Sequence, residues 1–209
     1  MKNLRSEIIK YSKMLNLKKL SALRSGNISS RYKDGFLITP SGKKYSSLKV
    51  KDIVFVGLDG EYEKKYKPSS EWRFHQDIYV KKKDAQAIVH THSTNATALS
   101  VHKKPIPAFH YMVALAGGND IKCSKYATYG TRELSKNILK ALNNRKACLI
   151  ANHGQIAFDK NLPDAFELAQ EVENLSLQYI TALKLGKPKI LSINEMNKVL
   201  KKAKNYKRG

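Results

Sequence analysis

The sequence has few cysteines and no long apolar segment, and each shortage excludes a class of protein. Of its 209 residues only two, Cys123 and Cys148, are cysteines, which is too few for a disulfide framework or a thiolate metal site. The longest apolar run, Tyr111–Ala116, has six residues, whereas a membrane-spanning helix needs about 20. The N-terminal segment also lacks the apolar stretch of a secretory signal. We therefore expect no membrane span and a reduced, cytoplasmic location.

Acidic residues are also scarce, since 17 Asp and Glu face 39 Lys and Arg and leave a formal charge of +22. An excess of this size makes nucleic acid an obvious candidate partner. The lysines, however, lie in small groups along the whole chain, and no aromatic-interleaved basic stripe accompanies them. Lysine dominates over arginine, which is typical of a solvated surface rather than of bidentate phosphate recognition. Nucleic-acid binding is therefore the less favoured interpretation, and the positive field would instead attract a phosphorylated small molecule.

The remaining composition is that of a folded domain. Hydrophobic residues make up 42% and charged residues 27%, which is ordinary for globular proteins. Periodicity and turn residues predict short strands mixed with helices, without the regular alternation that would require a parallel sheet. This pattern indicates an α/β layered domain. The predicted helices cover residues 2–17, 71–80, 94–101, 131–143, 163–185 and 193–204, and the predicted strands cover 28–31, 36–39, 53–56, 87–92 and 148–151.

Three histidines at predicted strand ends are the sharpest candidates for chemistry. His90 and His92 are two residues apart on a strand, so both imidazoles point to one face and can reach a single zinc ion. His153 follows the strand at 148–151 and precedes a glycine, where a side chain can approach a ligand. Histidines of the core or surface, or a turn histidine bonded to backbone, are the alternatives that these residues leave open. Structural roles are expected for the other three, His75, His102 and His110.

A pair of serines precedes the predicted helix at 71–80. The hydroxyls of Ser69 and Ser70, free backbone N–H groups and the positive end of the helix dipole together form a corner that can bind an anion. The alternative is an ordinary helix start, in which either serine is the N-cap and Glu71 is a favourable acid in the first turn. The turns at Gly26-Asn27 and Ser41-Gly42 offer further small donors.

Seven segments, taken together, resemble one known family over essentially the whole chain. The segments are GNISSRY, LITPSGKKY, KPSSEWRFH, AIVHTHS, IPAFHYMVALAGG, YATYGTREL and the NHG at 152–154. Their content, order and spacing resemble those of the class II, metal-dependent sugar-phosphate aldolases of the fuculose-phosphate aldolase type, within the aldolase/epimerase/adducin-head superfamily. The resemblance implies one three-layer α/β/α domain over residues 1–209, with a central, mainly antiparallel mixed sheet. It also implies that a basic C-terminal helix and tail at 193–209 closes the site.

The resemblance further implies a metal site and a reaction. One zinc ion per subunit would be held by His90, His92 and His153, with Glu71 as a ligand at rest and as the acid/base once substrate displaces it. The reaction would cleave a ketose 1-phosphate, in the first instance L-fuculose 1-phosphate, to dihydroxyacetone phosphate and L-lactaldehyde through a metal-stabilised enediolate. Three neutral imidazoles leave the zinc its full charge as a Lewis acid. Glutamate, being longer than aspartate, can move between metal and substrate.

The rest of the implied site comes from three tyrosines and a phosphate pocket. Tyr111 would reach across a subunit interface of a homotetramer to complete the neighbouring site, and Tyr206 in the tail would help to close it. Tyr129 stands where similar family members tend to carry phenylalanine near the aldehyde. The residues that the family's phosphate pocket implies are Gly26, Asn27, Ser41, Gly42, Ser69 and Ser70.

Several alternatives remain within and outside this reaction. Another 1-phosphoketose, such as 5-deoxyribulose 1-phosphate, is a closely similar substrate. Ribulose-phosphate 4-epimerases share the metal triad but typically have aspartate after the serine pair, so Glu71 favours the aldolase; a methylthioribulose-phosphate dehydratase fits the surrounding motifs less well. An adducin-head-like interaction module would keep the fold without catalysis, and the intact histidine and glutamate set argues against it.

Overall fold

The computed structural model describes residues 2–205. Within this range six α-helices surround a seven-stranded sheet, and three short 3-10 helices connect them. The helices are α1 (Lys2–Leu17), α2 (Trp72–Lys81), α3 (Thr94–Ser100), α4 (Arg132–Ala141), α5 (Leu162–Lys184) and α6 (Ile193–Asn205). The strands are β1 (Asn27–Tyr32), β2 (Gly35–Ile38), β3 (Val54–Gly57), β4 (Ala87–Thr91), β5 (Cys123–Ser124), β6 (Ala147–Ile150) and β7 (Gly154–Asp159). The 3-10 helices are Tyr45–Ser47, Val50–Asp52 and Tyr111–Ala116.

The sheet is mixed but mainly antiparallel, in the order β3-β2-β1-β4-β7-β6-β5. Among the paired strands only β5 and β6 run parallel. Apolar side chains cover both faces, because neighbouring residues of a strand point in opposite directions. Val89 belongs to the core shared with α1, α3 and α5, whereas Ile88 belongs to the core shared with α2 and α4. The result is the three-layer α/β/α domain that the resemblance implied.

Every predicted helix and strand is present, and each predicted end lies within two residues of the observed one. Strands β5 and β7 were not predicted, because β5 has only two residues and β7 has only three consecutive apolar residues, at 156–158, between polar ends. The structure buries all six residues of β7 and supplies the missing partners. Gln155 donates to the backbone oxygen of Ala169 at 2.9 Å, and Asp159 pairs with Lys146 at 2.9 Å. Buried polar groups are tolerated where they find such partners.

The longest of the described helices, α5, packs against the sheet. Its 23 residues bury Phe166, Leu168 and Val172 in the core beside β4 and β7. None of the helices within residues 2–205 is both long enough and apolar enough to cross a membrane.

Candidate metal centre

Four side chains from three separate parts of the sequence converge at the C-terminal end of β4. The candidate ligand atoms of Glu71, His90, His92 and His153 all lie within 4.8 Å of one another. The carboxylate oxygens of Glu71 lie 3.1 Å from His90 Nε2 and 3.2 Å from His153 Nε2, and His90 Nε2 lies 3.0 Å from His92 Nε2. The structure therefore brings together the complete set of residues that the resemblance implied as metal ligands.

His90 and His92 come from the end of β4, where the strand alternation directs both imidazoles to one side. His90 Nδ1 lies 2.8 Å from the backbone oxygen of Gln155 in β7, and a carbonyl can only accept. The Nδ1 proton is therefore fixed, and Nε2 is left to face the cluster. A ring held in this way is typical of metal-binding histidines.

The turn between β6 and β7 brings His153 to the same place. Asn152 has φ of +54°, a left-handed conformation that asparagine adopts more readily than most residues. His153 N–H donates to Ile150 O at 3.0 Å, which closes the turn. A Cβ atom on Gly154 would lie 2.2 Å from Thr91 O, so glycine is required for this close approach to β4. The ring of His153 then lies 4.7 Å from that of His92, centre to centre.

Glu71 reaches the histidines from the start of α2. The expectation that Ser69 or Ser70 caps this helix is wrong, because the helix begins at Trp72 and Glu71 itself occupies the N-cap position. The Glu71 side chain makes no capping bond, whereas its backbone N–H donates to Ser69 Oγ at 3.3 Å. The buried carboxylate is thus committed to the imidazoles rather than to its own helix.

Electrostatics favour an anionic Glu71 carboxylate and a neutral His92 imidazole. Burial alone would raise the pKa of the Glu71 carboxyl, but His90 and His153 outweigh it and hold that pKa well below its usual range. Burial, reinforced by His90 and His153, lowers the pKa of His92 to about 3. Anionic carboxylate and neutral imidazole are the protonation states in which these side chains bind a metal.

The donor set fits a zinc ion. Nitrogen atoms from three imidazoles and a carboxylate oxygen are ligands typical of zinc sites. Among the described residues, Glu71 Oε1 is buried without a hydrogen-bond partner, and His153 Nε2 lies 3.2 Å away. A buried carboxylate oxygen of this kind is well satisfied by a cation.

The residues implied for the phosphate pocket lie on three adjoining backbone segments. Ser41 N–H donates to Lys67 O, and Ser69 N–H donates to Thr39 O, both at 3.0 Å. Those bonds hold the turn after β2 against the segment before α2. The first segment, at Gly26-Asn27, starts β1, where a Cβ on Gly26 would lie 2.6 Å from His90 O. Ser41, Gly42 and Ser70 are exposed, whereas Asn27 and Ser69 are buried.

The implied tyrosines are placed differently. Tyr111 begins a 3-10 helix and is 54% exposed, and its ring stacks on His110. Tyr129 is 67% exposed and precedes Gly130, whose Cβ position would lie 3.1 Å from Ser70 O. Its loop therefore borders the segment before α2. Tyr206 lies outside the described residues, so its role stays a prediction.

One side chain given only a structural role in the sequence turns out to adjoin the site. His75 is completely buried and bonds to Asn27, which in turn donates to Glu71. The signal was present, since His75 follows Glu71 by four residues and so lies on the same side of α2. Its partner Asn27 lies in strand β1, far away in the sequence, and no spacing in the sequence indicates that contact.

Comparisons with known proteins agree with this geometry. The family model described as Class II Aldolase and Adducin N-terminal domain matches residues 6–180. A 5-methylthioribulose-1-phosphate/5-deoxyribulose-1-phosphate aldolase of Rhodospirillum rubrum is 49% identical over 203 residues, which cover 97% of this chain and 92% of that protein. An L-fuculose phosphate aldolase of Escherichia coli K12 is 50% identical over 183 residues, which cover 87% of this chain and 85% of that protein.

A solved structure shows the same fold. It is an L-fuculose 1-phosphate aldolase that superposes with a TM-score of 0.93 at 40% identity, covering 97% of this chain and 96% of the other. Four observations indicate the same family. They are the match to the family model, the sequence identity over most of the chain, the shared fold and the convergence of the glutamate and histidines. The chain therefore belongs to the class II aldolase family.

Proposed function

We propose that this protein is a zinc-dependent lyase that cleaves a ketose 1-phosphate to dihydroxyacetone phosphate and an aldehyde. The observation that carries the proposal is the convergence of Glu71 with His90, His92 and His153 within 4.8 Å. The three histidines would hold one zinc ion per subunit, with Glu71 as a fourth ligand at rest. When bound, the ion would supply a Lewis acid for the carbonyl and hydroxyl oxygens of the ketose.

Side chains of the protein carry out the proton transfers. Cleavage of the bond between C3 and C4 leaves its electron pair on C3, which must then receive a proton, while the C4 hydroxyl gives up a proton as the aldehyde forms. We assign the C3 proton to Glu71, the buried carboxylate of the cluster. In the direction of carbon–carbon bond formation, the anionic Glu71 carboxylate takes this proton from C3 of dihydroxyacetone phosphate, and Tyr111 of a neighbouring subunit gives its hydroxyl proton to the aldehyde oxygen, which becomes the C4 hydroxyl. Exchange with solvent returns both side chains to their starting states, and cleavage follows the same transfers in reverse. General acid–base catalysis of this kind typically contributes about 10²–10⁴-fold in rate.

The phosphate group is the proposed handle that orients the ketose. Side-chain hydroxyl and amide groups of the three segments, with backbone N–H groups at the start of α2, would hold it, and the net charge of +22 favours its approach. Binding energy from this remote group places the reacting carbons near the metal. The residues we propose for this pocket are Gly26, Asn27, Ser41, Gly42, Ser69 and Ser70.

L-Fuculose 1-phosphate, which gives L-lactaldehyde, is the first candidate substrate. A second candidate, 5-deoxyribulose 1-phosphate, gives the two-carbon acetaldehyde. It is favoured by the extent of similarity to the Rhodospirillum rubrum aldolase, which spans 203 residues, whereas that to the Escherichia coli L-fuculose phosphate aldolase spans 183. Tyr129, exposed beside the Ser70 segment, is the residue we expect to influence the choice of aldehyde.

Assembly is part of the proposal. An exposed Tyr111 suits a homotetramer with its sites at subunit interfaces. The basic segment 193–209 would close each of these sites. We place the protein in the cytoplasm. Light scattering combined with activity measurement tests this arrangement. A fully active monomer would remove Tyr111 from the mechanism.

The decisive experiment offers dihydroxyacetone phosphate with a panel of aldehydes. L-Lactaldehyde, acetaldehyde and methylthioacetaldehyde are supplied to protein that has been treated with chelator and reloaded with Zn²⁺. We expect carbon–carbon bond formation only after reloading, with the preferred aldehyde and the product stereochemistry identifying the ketose. Failure with every aldehyde would refute the proposed reaction, and full turnover in chelator would refute metal dependence.

A further inference from the structure

A chain of buried hydrogen bonds runs behind Glu71, away from the histidine cluster. Asn27 Nδ2 lies 3.1 Å from Glu71 Oε2, and Asn27 Oδ1 lies 2.5 Å from His75 Nε2. On the other side of the ring, His75 Nδ1 lies 2.7 Å from Ser29 Oγ, which lies 2.8 Å from the hydroxyl of Tyr79. All five side chains are buried, with exposures from 0% to 6%. The chain thus joins β1 to α2 through the interior.

The chemistry of the groups fixes the direction of every bond in this chain. The Glu71 carboxylate only accepts, so Asn27 must present its amide N–H₂ to it and its oxygen to His75. His75 Nε2 must then carry a proton. Burial, with His90 adding to the effect, lowers the pKa of His75 to about 3, so the ring is neutral and its Nδ1 accepts from Ser29. Each hydroxyl and N–H therefore donates toward Glu71, and Tyr79 is the outermost donor.

The surroundings hold this arrangement rigidly. The His75 ring stacks on Phe74 at 4.9 Å and on Phe36 at 6.5 Å, centre to centre. Arg31 Nη2 donates to Tyr79 O at 2.8 Å, and its guanidinium lies 4.9 Å from the centre of the Tyr79 ring. The stacks restrain the plane of the His75 ring, and its bonds to Asn27 and Ser29 select the orientation within that plane, which determines how the Asn27 amide is turned.

We propose that His75 is a positioning residue for Glu71, acting through Asn27. By donating from Nε2 it fixes the Asn27 amide, and the amide holds Glu71 Oε2 in the orientation that faces the histidines. Without the His75 donor, the amide can turn its oxygen toward the carboxylate, which repels it. This inference rests on the proposed acid–base role of Glu71, and it adds a residue that touches neither the ligand cluster nor a substrate.

The first test is spectroscopic and needs no substrate. Nuclear magnetic resonance of protein labelled with ¹⁵N-histidine distinguishes the two neutral tautomers, and the signals of His75 are those that vanish in His75→Gln. We expect the Nε2–H tautomer with a proton protected from exchange. The Nδ1–H tautomer, or a doubly protonated ring at neutral pH, would overturn the proposal.

The second test compares two replacements of the same ring. His75→Gln keeps an N–H near the Asn27 oxygen, whereas His75→Phe keeps the aromatic stack and loses the donor. We expect kcat of His75→Phe to fall about 10- to 100-fold, as for outer-shell partners of metal ligands, with KM changed less than about threefold and bound zinc retained. His75→Gln should recover most of this loss. Equal rates in the two variants would overturn the proposal.

Ser29→Ala keeps the test valid if His75→Phe does not fold. Loss of the Ser29 hydroxyl leaves Nδ1 without its donor, whereas Glu71 and Asn27 still require a proton on Nε2. We therefore expect the Nε2–H tautomer, faster exchange of that proton with solvent and a lower kcat. The matched control is Ser12→Ala, since Ser12 is also completely buried but bonds to Ile8 O within its own helix. The Nδ1–H tautomer in Ser29→Ala, or a proton exchange and kcat equal to those of Ser12→Ala, would contradict the inference. If the wild-type protein joins none of the aldehydes to dihydroxyacetone phosphate, the proposed function fails. The tautomer of His75 still shows whether the hydrogen-bond chain has the direction inferred here.

Discussion

Glu71 shows how the surroundings of a residue select one of its available roles. At the start of a helix, a carboxylate usually interacts with the free backbone N–H groups of the first turn. Here it is buried among imidazoles and receives an N–H from Asn27 at 3.1 Å. The same side chain therefore serves the cluster and not the helix, and its removal should affect chemistry more than folding.

Glu71→Gln tests this division at the residue scale. The amide has nearly the same volume but cannot carry the proton, so we expect kcat to fall about 10²-fold or more. Release of dihydroxyacetone phosphate, measured beside zinc content and circular dichroism, separates lost chemistry from lost structure. Glu63→Gln is the control, because Glu63 is exposed and pairs with Lys65. A Glu71→Gln variant at the wild-type rate would place the acid/base elsewhere.

At the scale of elements, the connection between β2 and β3 needs its own anchor. It carries Ser41 and Gly42 of the proposed phosphate pocket and contains little regular structure beyond two 3-10 helices. Asp52 ends the second of these and accepts from Lys43 Nζ at 2.5 Å and from Lys49 N–H at 2.9 Å. Burial opposes the charge on Asp52, but the bonds from Lys43 and Lys49 prevail and lower its pKa.

This anchor predicts a pH-dependent contribution to stability. A carboxyl whose pKa is lower in the folded than in the unfolded protein stabilises the fold above its unfolded pKa of about 3.9. That contribution is lost as the pH falls through the lower, folded value. We expect Asp52→Asn to reduce the free energy of unfolding by about 1–2 kcal/mol at pH 7, with the difference from wild type vanishing in acid.

Urea denaturation between pH 3 and 7, within the range where the fold persists, measures the effect. Lys43→Met should reproduce part of it, whereas Lys44→Met, at the neighbouring exposed lysine, should not. A pH-independent difference between wild type and Asp52→Asn would mean that packing, rather than charge, anchors the connection.

At the scale of the whole molecule, the candidate metal ligands join separate parts of the chain. One precedes α2, two lie at the end of β4 and one lies in the turn between β6 and β7. Unfolding must separate them, so an ion bound only by the folded protein stabilises the entire domain. An ion at this candidate site would therefore link these parts of the chain, in addition to its proposed role in catalysis.

Zinc should therefore raise the melting temperature. A ligand at about 100 times its dissociation constant adds about 2.7 kcal/mol, which corresponds to roughly 5–10 °C for a chain of this size. Differential scanning fluorimetry with and without Zn²⁺, after chelation, gives the shift. We expect His92→Ala to lose most of it and His102→Ala, at an exposed histidine, to keep it. An equal shift in both variants would exclude the cluster as the binding site.

The sequence by itself determined most of the helices and strands and, through the family resemblance, the four residues that meet in the candidate metal centre. Apolar periodicity located the predicted helices and strands, and the alternation along β4 was enough to put His90 and His92 on one face. These inferences succeed because they depend on contacts between residues that are close in the chain. Strand β7 was not predicted in this way, since the burial of its polar ends depends on partners such as Ala169 and Lys146 from elsewhere in the chain.

Only the tertiary structure decided how the reactive groups meet. The approach of the His153 turn to β4 depends on the space that Gly154 leaves beside Thr91, and the link from His75 to Glu71 passes through Asn27 on another strand. Such contacts form when separate elements pack against the sheet. Their physical cause is the shape and polarity of the assembled core, and spacing along the chain carries no record of either.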